Sequence, residues 1–266
     1  MNFLYKDIIF DFSLYDIIWY FLIYAFLGWC MEVIYAAFKT HKFINRGFLN
    51  GTACPLYGAG AVVVLILLHP VSNHPFLVFL LSSLITTTIE FLTGWILELL
   101  YHKKWWDYSM RKFNIKGYIC LEFSVIWGVC CLLVYDLLHP LVKWPVEHIP
   151  HNVGIWILLC AILWFITDIV ISTIQATKFA KYVTRVREAY RKESDALGGK
   201  LAEATIKVVD AAKENKKKYE LKRSAKRLLK AFPSMEDKRD KSIIEKIKAK
   251  YFIKKQNKDI KDNELE

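Results

Sequence analysis

Five stretches of this chain are each about twenty residues long and nearly free of charge, and no other feature constrains its fold as tightly. They run over about 14–38, 53–71, 76–101, 118–138 and 153–177. A helix crossing roughly 30 Å of hydrocarbon needs about 20 mostly apolar residues, because lipid offers nothing to hydrogen bond an exposed backbone group. The predicted fold class is all-α: a polytopic membrane protein with five transmembrane helices and a helical cytosolic tail. The segment Met1 to Phe12 has no basic run and is followed by no small-residue cleavage motif. The first apolar stretch is therefore expected to be a retained span and not a removed signal.

Charge divides the chain at the end of the fifth stretch. Residues 1–177 hold 10 Lys+Arg against 11 Asp+Glu, whereas residues 178–266 hold 27 against 15. The whole net charge of +11 thus comes from the tail. The expected domains are a membrane body over 1–177 and a basic, mostly helical tail over 178–266. Such a division excludes an ordinary soluble globular enzyme. The connections between spans alternate in basic content. Lys39, Lys42 and Arg46 lie in the first, none in the second, and Lys103, Lys104, Arg111, Lys112 and Lys116 in the third; the fourth has only Lys143. By the positive-inside rule the N-terminus is outside and the tail is in the cytoplasm, across a bacterial inner (plasma) membrane.

Part of the sequence repeats. Gly28-Trp29-Cys30-Met31-Glu32-Val33-Ile34-Tyr35 returns as Gly94-Trp95-Ile96-Leu97-Glu98-Leu99-Leu100-Tyr101, an offset of 66. Phe43, Gly47 and Gly58 then match Phe113, Gly117 and Gly128 at an offset of 70. Each copy reads span, basic link, span, so two parallel two-helix repeats plus one further helix describe the body. Interfaces between such repeats often house a transport path.

Acids inside the spans are the candidates for chemistry. A central carboxylate costs at least about 2.5–3.5 kcal/mol on insertion scales, so each demands a partner, a proton or a polar cavity. Glu32, Glu90, Glu98, Glu122 and Asp168 are the transport-path candidates; Asp136, near an outer end, can reach water. Glu90, Gly94 and Glu98 share one helix face, and no span carries a basic residue at the depth of Glu90. The alternative role for these acids is locking helix ends against nearby bases. Polar-partner or loop candidates are Asn45, Arg46, Gly47, Pro55, Tyr57, Asp107, Arg111, Asn114 and Lys116. The glycines and proline of the segment 47–60 suggest a broken or re-entrant helix start. The six cysteines form no CxxC pair and read as packing residues, and no metal site, cofactor or catalytic arrangement is expected.

From Lys178 to Ala231 the tail is helix-forming, with Gly198-Gly199 as a breaking point. A second helix is predicted near Ser234 to Phe252, started by Ser234 with Asp237 and striped by Ile243, Ile244 and Ile247. The last dozen residues have a disordered composition. The tail fits a solvated arm or a partner for anionic membrane lipid; nucleic acid is the least supported partner, because no recognition motif accompanies the charge.

GWCMEVIY (28–35), FINRGFLNG (43–51), CPLYGAG (54–60) and WWDYSMRKFNIKGYICLEFSVIWG (105–128) resemble the bacterial CmpB family of ABC-transporter permeases, also called type IV ABC-transporter membrane proteins. LLKAFPSM (228–235) fits more loosely, and Gly51-Thr52 stands where the family pattern has Gly-Pro. The resemblance implies a membrane subunit working with a separate ATPase; it supplies neither substrate nor catalytic residues. Consistently, the chain has no phosphate-cradling GxxxxGK[ST] loop: the only Gly-Lys, Gly199-Lys200, has Ser194 at the motif start and Leu201 after it. The expected function is a non-enzymatic permease subunit moving a small solute or ion, with a second copy of the chain as a further expected partner. The alternative is a non-transporting scaffold or regulator whose tail recruits a partner.

Overall fold

A computed structural model describes residues 7–199, 223–232, 234–237 and 242–249. Two short strands, β1 (Asp7–Ile9) and β2 (Phe12–Ser13), pair as a hairpin and lead into helix α1 (Leu14–Thr40). Ser13 starts α1 through a capping box: its hydroxyl accepts from Asp16 N–H and the Asp16 carboxylate accepts back from Ser13 N–H, both at 3.2 Å. The helix stops at His41, whose φ of 52° is left-handed. Helix α2 (Pro55–Leu68) runs into a 3₁₀ turn (His69–Val71), and α3 (Pro75–Tyr101) follows after a short turn.

Four helical segments are long and apolar enough to cross a membrane: Leu14–Thr40, Pro75–Tyr101, Leu121–His148 and His151–Ala189. The second predicted span, 53–71, is the shorter apolar helix Pro55–Val71, whose 17 residues reach about 25 Å. The fourth segment is also longer than its sequence suggested. Helix α4 (Leu121–Leu133) passes through a π turn (Val134–Leu138) into α5 (His139–His148). In that turn His139 N–H bonds to the Val134 carbonyl, a wider register that lets the helix pass Pro140, which has no N–H to give. The expected loop over 139–152 is thereby reduced to Ile149-Pro150. Helix α6 (His151–Gly199) likewise does not stop at Thr177, because the Lys, Arg, Glu and Ala that follow are good helix formers.

The described residues form two compact units. The first holds those up to Ile96 together with Trp106–Thr173. Its largest core joins α1, α2, α5 and α6 through Tyr15, Tyr20, Tyr24, Leu65, Val142, Val146 and Leu158. A second cluster sets Leu49 and Ala53, from the link before α2, against Ala25 and Phe165. Close packing of α2 on α1 requires Gly58, since a Cβ there would collide with the Phe21 carbonyl oxygen. Large side chains such as Phe26, Leu84, Leu133, Trp156 and Leu163 face outward, as helices bathed in lipid allow.

The second unit holds Leu97–Trp105 and the described residues from Ile174 onward. Here β3 (Lys103–Lys104) pairs antiparallel with β6 (Glu236–Asp237); a third two-residue pair, β4 (Asn114–Ile115) with β5 (Ile119–Cys120), belongs to the first unit. Lys103 donates to Asp237, both fully buried, and the partly buried Arg187 approaches the same carboxylate at 3.4 Å. Trp105 packs edge-on against Tyr101 and Phe232. The helix predicted to start at Ser234 therefore begins later, because Glu236 and Asp237 are drawn into the strand pair; residues 242–249 are helical. Ile243, Ile244 and Ile247 are buried as one stripe, as their spacing predicted. Helix α7 (Arg223–Ala231) adds Leu228 and Leu229 to this core. The apolar positions between Leu201 and Val209 and the last dozen residues lie outside the described residues. All six cysteines are unpaired.

Candidate functional site

The two basic links are not surface loops: each folds back beside the helices. In the first, residues 41–54, Cys54 N–H donates to the Ala25 carbonyl near the middle of α1 (2.8 Å). Backbone at that depth must find acceptors, and Asp168 of α6 supplies them. Its Oδ2 accepts from Gly51 N–H at 2.8 Å and its Oδ1 from Asn50 N–H at 3.2 Å. Ser172 lies one turn further on, accepts from the backbone and side-chain nitrogens of Asn50, and donates to Asp168. Asn45 knits the rest of the link: its Oδ1 accepts from the Trp29 indole (3.0 Å) and Gly47 N–H (3.1 Å), and its Nδ2 donates to the Asn50 carbonyl (2.8 Å). Pro55 opens α2 at the one position where a missing N–H costs nothing. The link folds inward against α1 and α6, and the amides of Asn50 and Gly51 are met by a carboxylate of the protein itself.

The second link, residues 102–120, behaves in the same way. Trp106 donates its indole N–H to the Tyr118 carbonyl (2.8 Å), and Tyr108 reaches back to mid-α3, donating its hydroxyl to Glu90 Oε1 (3.1 Å). Burial raises the pKa of the Tyr108 phenol well above its ordinary range, and the Glu90 charge adds to this, so the hydroxyl stays a donor. Asp107 and Asn114 are turn formers. Asp107 Oδ1 accepts from the Ser109 hydroxyl (2.6 Å), and Asn114 donates to the Arg111 carbonyl (2.8 Å) and accepts from Gly117 N–H (3.2 Å). Lys116 is exposed, with a left-handed φ of 51°.

The acids fall into distinct settings. Glu32 accepts from the Tyr57 hydroxyl at 2.7 Å and faces Arg46 Nε at 3.5 Å, half-buried. The Arg46 guanidinium lies over the Tyr35 ring, 5.1 Å from its centre. Glu122 pairs with Arg111 at 3.1 Å where both are exposed. Glu98 is buried near the C-terminal end of α3, in the second unit. Glu90 is different. It is 8% exposed and has no ion-pair partner among the described residues. Its Oε2 is buried without a hydrogen bond of ordinary geometry, although the Trp127 indole lies close by.

These contacts join four helices at one place. The Tyr57 ring meets the Trp127 ring edge-on at 5.6 Å, and Tyr108 stacks on Phe123 at 4.8 Å. Glu32 of α1, Tyr57 of α2, Glu90 of α3 and Trp127 of α4 thus surround a common region with Tyr108. A family model described as "Putative ABC-transporter type IV" matches residues 19–173, more than half the chain and every residue of this cluster. The chain belongs to that family. No curated protein and no solved structure matches it. Within this family member, a multi-pass membrane protein, no group of three or more His, Cys, Asp or Glu residues among the described residues could hold a metal.

Tyr108, Trp127, Asn50 and Ser172 were not among the sequence candidates. For Trp127 a signal existed: it is the repeat equivalent of Tyr57 at the offset of 70. For Asn50 and Ser172 there was none, since their partners lie more than a hundred residues away in the chain.

Proposed function

We propose that this chain is the membrane-spanning, non-enzymatic subunit of a transporter that moves a small solute or ion, with ATP hydrolysed by a separate subunit. Family membership supports the class. The observation that carries the reading is Glu90: a carboxylate in the middle of an apolar helix, buried, with the Tyr108 hydroxyl as donor to Oε1 and no ion-pair partner among the described residues. An acid held there at several kcal/mol of cost needs a reason, and contact with a passing cation or proton is one. In this reading all five apolar helices cross, α2 by combining its short length with the re-entrant link, and they form two parallel repeats plus α6. The contact of Tyr57 with its repeat equivalent Trp127 supports that arrangement, as does the matching use of Gly58 and Gly128 against α1 and α3. The N-terminus is outside, the tail is in the cytoplasm, and anionic lipid and a second copy of the chain are further partners.

The test is solute uptake into vesicles reconstituted with the chain and its ATPase, comparing wild type with Glu90→Gln. The variant should insert and fold but lose or uncouple transport; wild-type uptake by the variant would overturn the assignment. A second reading has its own support. Glu32, Glu122 and Asp168 are all paired within the protein, as a non-transporting scaffold or regulator would have them. That reading predicts that Glu90→Gln alters stability alone.

A further inference from the structure

We propose that the two links seat on anionic phospholipid through a repeated bracket, two bases held between two bare apolar side chains. The first bracket is Phe38, Lys39, Lys42 and Phe43, and the second is Met110, Arg111, Lys112 and Phe113. The inference deepens the proposed partnership with anionic lipid and rests on the reading that the apolar helices cross a membrane. The internal repeat already pairs the brackets, since Lys42-Phe43 and Lys112-Phe113 correspond at the offset of 70. Neither contains an acid: residues 38–43 read FKTHKF and 110–113 read MRKF, and every one of them is exposed. Met110 (97%), Phe38 (81%) and Phe113 (78%) are the three most exposed large apolar side chains among the described residues, and Phe43 follows at 73%. Arg111 meets Glu122 at 3.1 Å, whereas Lys39, Lys42 and Lys112 have no ion pair among the described residues.

The backbone holds the brackets in place without burying them. His41, inside the first, ends α1 with a left-handed φ of 52° and donates its N–H to the Ala37 carbonyl at 2.8 Å. Phe113 is left-handed too, at 52°, and Asn114 ties its turn by donating to the Ser109 and Arg111 carbonyls. Each turn thus presents apolar groups that water disfavours beside ammonium groups that hydrocarbon disfavours. The boundary of an anionic bilayer satisfies both, taking the apolar tips among its acyl chains and setting lipid phosphates against the bases. A bilayer also meets both links at once because it surrounds the body, whereas a protein partner would need a separate matching surface for each. The tail, for all its charge, lacks the apolar half. No large apolar side chain is exposed among the described residues after Ile174, and Ile243, Ile244 and Ile247 are buried.

The test places the photocrosslinker p-benzoylphenylalanine at Phe43 or Phe113 of the full-length chain, in nanodiscs of equal parts phosphatidylglycerol and phosphatidylcholine. Leu84, bare on α3 in a helix without a single base, is the comparison site. After irradiation, mass spectrometry reads the ratio of the two lipid adducts. Leu84 should take both lipids about equally. Phe43 and Phe113 should favour phosphatidylglycerol at least about fivefold, the gain from one base at an anionic surface. Lys39→Gln with Lys42→Gln should bring the ratio at Phe43 to within about twofold of that at Leu84, and Lys112→Gln should lower the ratio at Phe113 at least about threefold. Even ratios at both sites, or ratios that these substitutions leave unchanged, would overturn the proposal. So would crosslinks to protein in place of lipid when the same chains are irradiated in native membranes. Should a labelled variant fail to insert, Phe38 and Met110 carry the crosslinker instead. The other readings fail separately. Absence of any lipid adduct at Leu84 removes the membrane-spanning reading, whereas adducts at Leu84 beside even ratios at the links remove this inference alone. A preference for phosphatidylglycerol in a chain that takes up no solute keeps the inference and removes transport.

Discussion

Removing the Asp168 carboxylate tests whether the first link is held inside the protein by hydrogen bonds. Gly51 N–H has Asp168 Oδ2 as its acceptor at 2.8 Å, so Asp168→Ala leaves that half-buried amide unpaired. Asn50 N–H is shared between Asp168 Oδ1 at 3.2 Å and Ser172 Oγ at 3.0 Å, so it keeps one partner. An orphaned amide costs about 1–3 kcal/mol when fully buried and nearer about 1 at half burial, and losing half of a shared bond adds up to about 1, giving roughly 1–2 kcal/mol for Asp168→Ala. Ser172→Ala alone should cost about 1 kcal/mol. Together the two substitutions orphan both amides, and the double variant should exceed the sum of the singles by about 1–2 kcal/mol. Asp168→Asn keeps one carbonyl oxygen for Gly51 and should fall between wild type and Asp168→Ala. The assay is thermal or denaturant unfolding in mild detergent, with protease cleavage within residues 41–54 as the local readout. An Asp168→Ala protein within about 0.5 kcal/mol of wild type, its link still protected, would refute the argument, since only unconnected surface changes are that mild.

Other substitutions separate close contacts from open ones. Gly58→Ala should destabilise by about 1–3 kcal/mol in the same unfolding assay, because its Cβ meets backbone oxygen that cannot move aside. Gly60→Ala, two residues along with nothing within 4 Å, should be neutral or gain up to about 1 kcal/mol from helix propensity. In the second unit, Lys103→Ala leaves Asp237 buried without its lysine; the expected cost is about 3–5 kcal/mol, read as faster proteolysis of the segment 223–249. Arg111→Gln breaks an ion pair exposed on both sides and should change stability by less than about 1 kcal/mol.

How much of this was legible follows from the reach of each signal. Apolar length alone placed α1 and α3 to within two residues, because lipid leaves a helix no other way to pair its backbone. The stripe Ile243, Ile244 and Ile247 likewise announced a buried face. The stretch 53–71 is matched as closely by the helix Pro55–Val71, whereas the passage of α4 into α5 was not visible, because it depends on a π turn that accommodates Pro140. Composition located the acids, and the lack of any base at the depth of Glu90 singled that residue out. What each acid touches was hidden. Tyr108 reaches Glu90 only because its link folds back, and Asp168 meets Asn50 and Gly51 across more than a hundred residues with no local pattern to betray it. One pairing of a basic residue was hidden as well. Lys103, counted among the basic residues of its connection, is buried against Asp237 of the tail, more than a hundred residues away.

The anchoring of the first link by Asp168 also has a consequence for biosynthesis. A chain emerges from the ribosome N-terminus first, so α1, the link and α2 reach the membrane well before residue 168 is made. Until α6 arrives, Gly51 N–H lacks the acceptor it has in the folded chain, and water must serve instead. The early helices therefore cannot complete their fold as they insert; the last helix of the membrane body seals a segment made near the beginning. A chain truncated before Asp168 would present an unfinished link to quality control, however well its first helices had inserted.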